Sequence, residues 1–230
     1  MPTHSLSLSF ASRNAEEGVV AAIGVCVIAG WTGRDAVALE KHIVELEALG
    51  VKRPASTPIF YRASKQRLLI TDQIEAVGNA SSGEVEYVVL QYRGKLWVGV
   101  GSDHTDREVE TYGVTVSKQM CDKPIAPVFW AFEDVEDHWD KLILRSFITA
   151  GGNRQLYQEG TLDKMLAPKD LIRRYTGGDH LAEGTMLFGG TFSAIGGIRP
   201  APRFDFEIVD DVIGRKISHG YDIVSLPIAG

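Results

Sequence analysis

The sequence predicts a β-rich α+β domain. Apolar runs of strand length recur along its 230 residues. Glycine, present 24 times, punctuates those runs where turns are needed. Helical periodicity is confined to a few segments, without the regular strand–helix alternation of a doubly wound sheet.

Taken in order, Leu6, Leu8 and Phe10 alternate with serines, the period of an opening strand. Glu16-Glu17-Gly18 reads as a turn. Residues 19–29 form an apolar run rich in β-branched side chains, read as one buried strand. Thr32-Gly33-Arg34-Asp35 interrupts it. Val37, Leu39, His42, Ile43, Leu46 and Leu49 recur at helical spacing, closed by Gly50. Pro54 and Pro58 bracket a loop before PIFYRAS. Short strands are expected at 68–70 and 74–77. EVETYGVTVSKQM mixes both periodicities. Residues 135–148 read as helix then strand, broken by Gly151-Gly152. Residues 156–166 suggest a short helix, and TLDKMLAPKDLIRRY continues with an interruption at Pro168. Strands at 185–188, 204–208 and 223–226 complete the pattern. No internal repeat or low-complexity linker divides the chain.

Composition narrows the function. The formal charge is -6, from 24 basic and 30 acidic side chains. With no arginine-lysine cluster, this argues against a nucleic-acid partner, which needs a basic patch. The longest uncharged apolar run is too short to span a bilayer, so no membrane partner is expected. MPTHSLSLSF lacks the basic segment and long apolar stretch of a signal peptide. Only Cys26 and Cys121 are present, which is neither a disulfide framework nor metal-ligand spacing. A cytoplasmic location is expected.

The segment GEVEYVVLQYRGKLWVGVGSD carries the chemistry. In a strand, positions i and i+2 share a face, so Glu84 and Glu86 point one way while Val85, Tyr87 and Val89 point the other. A two-residue turn at Arg93-Gly94 sets Asp103 across from Glu84, about 5 Å away. Three carboxylates so close repel unless a cation joins them. They form an oxygen-ligand site for a hard divalent metal, with a solvated sheet face as the plainer alternative. His42 and Glu45, three apart on a helix, can meet as a proton-transfer dyad or pair by chance on an exposed face. Cys121 reads as a structural thiol. GGN and FGGTFSAIGG lack phosphate-loop spacing and read as tight turns. His138, Trp139 and Asp140 read as part of a packed, partly exposed helix.

These residues fall in an order that resembles the fumarylacetoacetate hydrolase superfamily, and more closely its DUF2848 branch. The resemblance rests on Glu84-Val85-Glu86, Asp103-His104-Thr105-Asp106-Arg107-Glu108, Lys118 ahead of Asp122-Lys123-Pro124, and Gly190-Thr191. Upstream, His42-Ile43-Val44-Glu45 and PIFYRASK resemble the family's His-x-x-Glu and Pro-x-x-Phe segments. The sequence departs at Glu108, at Glu110 and at Phe192, which follows Thr191 in place of proline. It also has Gly33-Arg34-Asp35 where the family carries Asn-Tyr.

The resemblance implies a rolled mixed β-sheet with short flanking helices and a homodimer. Residues 1–230 would form one such domain, with a possible lid helix in 1–80 and the β-roll and metal site in 81–230. Glu84, Glu86 and Asp103 would bind Mg2+ or Mn2+. His42, Glu45 and Lys118 would be catalytic. Arg107, His104, Thr191 and Arg34 would contact a small anionic oxo-acid. The expected activity is hydrolysis of a carbon–carbon bond in a 1,3-dicarbonyl compound. Alternatives are decarboxylation, dehydration or isomerisation of a 2-oxo acid through an enolate, or small-molecule binding without turnover.

Overall fold

In a computed structural model, described over residues 4–48 and 53–229, the chain begins with β1 (His4–Ser12), β2 (Ala15–Ile23), β3 (Val25–Gly30) and α1 (Ala36–Ala48). Next come β4 (Ile59–Ala63), β5 (Leu68–Leu69), β6 (Gln73–Val77), β7 (Ser81–Ser82), β8 (Val85–Tyr92), β9 (Lys95–Ser102) and β10 (Thr105–Asp106). Two short helices, α2 (Arg107–Tyr112) and α3 (Val114–Met120), precede β11 (Lys123–Pro124), β12 (Val128–Ala131), β13 (Ile143–Ala150) and β14 (Asn153–Thr161). The chain ends with α4 (Pro168–Thr176), β15 (Thr185–Phe188), β16 (Arg203–Asp210) and β17 (Arg215–Leu226).

The larger sheet runs β2-β1-β12-β9-β8-β15-β3-β4. Its pairings are mixed: β1 with β12 and β15 with β3 are parallel, and the others are antiparallel. Gly24 alone joins β2 to β3, yet five strands separate them in the sheet order. A flat sheet cannot satisfy both facts. The sheet therefore curls until its two ends meet, and the Gly24 amide donates to the Gly184 carbonyl at 2.9 Å. Leu8, Phe10 and Ile23 from one end share a core with Cys26, Ile28, Val88 and Phe188. A second sheet, β14-β13-β16-β17-β6, packs on the opposite face. Val85, Tyr87, Val89, Val98 and Val100 meet Leu144, Phe204, Phe206 and Tyr221 there. This is the expected β-rich α+β architecture with a rolled mixed sheet and short helices.

Several local expectations give way to tertiary pairing. Glu16, Glu17 and Gly18 lie within β2, and the turn falls at Arg13-Asn14, because Ser12 pairs with Ala15. The 19–29 run is two strands split at Gly24. Residues 156–166 are not a helix: β14 pairs back on β13 across Gly151-Gly152, and a 3-10 turn follows at Leu162–Lys164. The mixed segment after Asp106 is two helices separated at Gly113. The helix expected within 135–148 is a 3-10 segment, Glu136–Lys141. Pro168 opens α4 rather than interrupting a helix, since proline at the first turn leaves no amide unsatisfied. The expected helix end at Leu49 and Gly50 lies outside the described residues. Among the described residues, no helix is long and apolar enough to cross a membrane.

The fold has no room at Gly189. A Cβ there would lie 1.9 Å from the buried Tyr87 ring. That ring is held by its hydroxyl, which donates to the Leu166 carbonyl at 2.7 Å. Gly189→Ala is expected to destabilise the protein by about 1–3 kcal/mol, the usual cost of overpacking. A urea midpoint equal to that of wild type would contradict this.

Candidate metal centre

The β8–β9 hairpin turns at Arg93 and Gly94, whose φ values of 53° and 72° are those of a two-residue turn of the hairpin type. It sets the register from Tyr92 opposite Lys95 to Val85 opposite Ser102. One step further, the Asp103 amide donates to the Glu84 carbonyl at 2.9 Å. Glu84, Glu86 and Asp103 thereby bring one carboxylate oxygen each within 4.8 Å of one another. Glu86 and Asp103 are buried and Glu84 is nearly so. Val85, Tyr87 and Val89 face the opposite way, into the core between the sheets.

Cations surround this cluster. Lys118, on α3, reaches Glu84 Oε2 at 3.4 Å and bonds Asp103 Oδ2 more closely. Lys123 Nζ lies 3.2 Å from Asp103 Oδ1. Arg107 opens α2 behind its cap, Asp106, whose carboxylate accepts from the Val109 amide. Its guanidinium donates to Ser82 Oγ at 2.8 Å and contacts Glu84 Oε1 and Glu110 Oε2, each at 3.0 Å. Burial alone would raise the Asp103 carboxyl, but Lys118 and Lys123 hold it below the usual carboxylate range. Burial, then the charge of Asp103, pushes Glu86 well above that range. Burial disfavours charge on Lys118 as well, yet Asp103, Glu84 and Glu86 together raise its pKa.

Glu86 Oε2 accepts from the Gly190 amide at 2.7 Å. Gly190 has φ 95°, and a Cβ there would lie 1.9 Å from the Thr32 hydroxyl. Only glycine fits this close approach. Next to it, the Thr191 hydroxyl donates to the Val85 carbonyl at 2.8 Å and accepts from Gln158 Nε2 at 2.7 Å. Its hydrogen is thus committed to the strand that carries Glu86.

His104 is fully buried. Its Nδ1 lies 2.9 Å from the Tyr221 hydroxyl, itself 2.8 Å from Ser102 Oγ. Among the described residues, its Nε2 has no hydrogen-bond partner. Arg34 holds Asp140 through two bonds, at 2.7 and 2.8 Å, and donates to the Met165 carbonyl at 3.0 Å. These partners are not the carboxylates of the cluster. His42 and Glu45 lie on the backbone of α1, and their side chains lie outside the described residues. The structure therefore gathers Glu84, Glu86, Asp103, Lys118 and Arg107, with His104 and Thr191 alongside. Sequence reasoning missed Lys123, Gln158 and Tyr221. The fully buried Lys123 carries no motif, and only its place in Asp122-Lys123-Pro124, within a quoted family segment, pointed toward it.

The rolled sheet with its acidic hairpin has the architecture of the fumarylacetoacetate hydrolase-like fold. A family model described as "Protein of unknown function (DUF2848)" matches residues 29–221, and the chain belongs to that family. No curated protein matches. Among solved structures, Cg1458 is 17% identical with a TM-score of 0.62, covering 89% of this chain and 77% of that one. A 2-keto-3-deoxyarabinonate dehydratase is 16% identical with a TM-score of 0.62, covering 89% and 75%. A 2-keto-3-deoxy-D-arabinonate dehydratase complexed with magnesium and 2,5-dioxopentanoate is 15% identical, with a TM-score of 0.60 and coverage of 88% and 74%.

The donor set suits a hard divalent cation: three carboxylates, all oxygen, fixed on one hairpin. His104 provides an independent check on the site's electrostatics. Burial, then the charges of Lys123 and Arg107, pushes its imidazole down to about 3 from 6.5. A depressed histidine pKa means that the unfolded chain binds the proton first. His104 thus favours folding at neutral pH, and this contribution falls as pH drops from 6.5 toward 3. Glu86, raised above 4.5, contributes the opposite slope: its stabilisation is lost as pH rises through its folded value. The two overlap in stability curves, so NMR gives the separate readout. The His104 Cε1 proton is expected to show no titration step between about pH 5 and about pH 7, where an ordinary histidine titrates. A full step in that range would show that the ring is not sealed.

Proposed function

We propose that this protein is a divalent-metal-dependent lyase that removes water from a small anionic 2-oxo acid. The observation that carries the reading is the trio Glu84, Glu86 and Asp103 with Lys118 Nζ set against two of its members. The dehydratases that share the fold, one of them complexed with magnesium and 2,5-dioxopentanoate, favour this over the carbon–carbon hydrolysis expected from the sequence. Magnesium or manganese held by the three carboxylates would polarise the substrate's carbonyl and lower the cost of an enolate.

The chain's own residues supply the rest. Lys118 turns a buried positive charge toward the developing oxyanion, where a preorganised charge counts most. Arg107 braces Glu84 from behind, and its remaining N–H groups give it a secondary claim on the substrate carboxylate. Gly190 and Thr191 fix Glu86 and its strand beside the substrate. His104 follows Asp103 in the chain and is sealed against Tyr221, with its Nε2 free of protein partners among the described residues. The proton of the carbon next to the carbonyl passes to His42, oriented by Glu45, and the same pair returns a proton to the departing hydroxyl. Arg34, paired with Asp140, would brace the start of α1 or serve as a second anion contact. A homodimer, drawn from the family resemblance, is part of this reading, as is the cytoplasmic location expected from composition.

A panel of 2-keto-3-deoxy sugar acids, acylpyruvates and oxaloacetate, assayed with and without Mn2+, tests the reaction class. Metal-dependent loss of water from a 2-keto-3-deoxy acid is expected. Cleavage of acylpyruvates alone would restore the hydrolase. Glu84→Gln/Glu86→Gln is expected to abolish Mn2+ binding in calorimetry, and wild-type binding in that variant would move the metal elsewhere. His42→Ala is expected to lower turnover by about 10² to 10⁴ while leaving Mn2+ affinity unaltered. Unchanged turnover and pH dependence would remove the dyad from the reaction. Sedimentation showing only a 25.2 kDa species at micromolar concentration would reject the dimer.

A further inference from the structure

A separate group of charges lies at the far end of β17 from the carboxylate cluster. Tyr221 meets Ser102 and His104 through its hydroxyl. Arg215 stands six positions before it on the strand, roughly 20 Å away at about 3.3 Å per residue. There the β16–β17 hairpin turns through residues 211–214. The β1–β2 turn reaches the same place, since Arg13 and Arg215 both lie against Asp134. Between the two turns is a cavity of about 520 Å³, lined by Ser12, Arg13, Ile213 and Arg215.

Two aspartates attend these arginines, but their oxygens are largely spent elsewhere. Asp210 turns both oxygens to His138 Nε2, at 2.9 and 3.0 Å, and accepts from the Val212 amide at 3.2 Å. Asp134 Oδ2 accepts from the Arg13 amide at 2.9 Å. The guanidinium groups receive only long contacts. Arg215 lies over the Trp130 ring at 4.2 Å, donates to Asp210 at 3.4 Å and stands 3.8 Å from Asp134. Its Nη2 is buried with no hydrogen-bond partner among the described residues. Burial pushes this guanidinium below the usual arginine value even with Asp210 and Asp134 beside it. The Arg13 side chain is 60% exposed, and its contacts to Asp134 are 3.4 and 3.7 Å long.

A buried donor left unpartnered in a native structure points to a bound water or ion. Water can satisfy an N–H group, but it does not answer the charge of two guanidinium groups lining one cavity. The rest of the wall is partly apolar. Ile213 and its neighbour Val212 stay exposed at a hairpin tip, where polar residues are the rule. We propose that this cavity is an anion site, which binds a small organic carboxylate or phosphate ester through Arg13 and Arg215 with its carbon chain on Ile213. Both head groups present the paired oxygens that a guanidinium fork matches. The volume is that of a small-molecule site and exceeds what an inorganic ion fills. No residue of the carboxylate cluster takes part, so the proposal stands apart from the metal and from the reaction.

The test titrates the full chain calorimetrically, at low salt, with butyl phosphate, butyrate and inorganic phosphate. The variant is Arg13→Gln, which keeps the backbone amide that holds Asp134. Saturable binding of butyl phosphate or butyrate is expected, weakened on the order of tenfold in Arg13→Gln by loss of a charged partner. Whichever of those two binds more tightly identifies the head group. No saturation by either at millimolar concentration, or equal affinity in Arg13→Gln, overturns the proposal. Inorganic phosphate binding as tightly as both organic probes overturns the organic-ligand assignment. Arginine Nε signals in NMR locate the ligand in wild type. Shifts at Arg13 and Arg215 support the site, and shifts at Arg107 alone overturn it. Should Arg13→Gln not fold, Ile213→Asp takes its place by setting a carboxylate in the cavity, and wild-type affinity there has the same overturning force.

Discussion

Like charges held together are the constraint on which this structure turns. The hairpin register forces Glu84 and Asp103 opposite each other, and the strand period adds Glu86 to the same face. Inside a protein, where the effective dielectric is lower than in water, such repulsion is not tolerated without compensation. The chain answers with cations from three later positions: Arg107 on α2, Lys118 on α3 and Lys123 on β11. The helices and the short ladder of β5 with β11 serve to deliver those charges. The site is costly to fold and correspondingly well defined, the condition under which a metal and an anionic substrate can be placed with accuracy.

The rolled sheet supplies the depth that the site needs. Both faces of β8 are covered, one by the curl of its own sheet and the other by the five-stranded sheet. Glu86 therefore points into a core rather than to solvent. Gly189 and Gly190 let the chain after β15 pass against Tyr87 and Thr32, bringing an amide to Glu86. Gln158 ties the second sheet to the same strand, with its Oε1 accepting from the Val85 amide at 3.0 Å.

The carboxylate cluster was legible because period and turn chemistry are local. Arg93-Gly94 specifies a two-residue turn, and alternation then assigns a face to every residue out to Asp103. The strands at 4–12 and 185–188 and the helix after Asp35 were visible for the same reason. What escaped depended on distant partners. Leu156 sits at a spacing that suits a helix, but β13 offers an unsatisfied edge and the chain pairs with it. Residues 19–29 contain no turn signal beyond one glycine, and only sheet closure makes Gly24 a corner. The contacts of Lys123 escaped for a similar reason: its neighbours in space, Asp103 and the His104 carbonyl, come from another strand's end. Arg107 was expected to contact substrate, and the partners its guanidinium meets, Glu84, Glu110 and Ser82, were not readable from its own segment.

The single-residue corner at Gly24 bears on how the chain emerges from synthesis. β1 and β2 form a local hairpin and can pair as soon as they are made. β3 follows at once, yet its parallel neighbour is β15, and β1 waits for β12. Until residue 188 exists, one flank of β3 has no sheet to join, and its apolar residues Val27 and Ile28 lack their cover. Closing contacts of such long sequence separation carry a high loop entropy and form late. The nascent chain thus holds an unfinished seam until β15 has been made, and that strand seals the roll between β3 and β8.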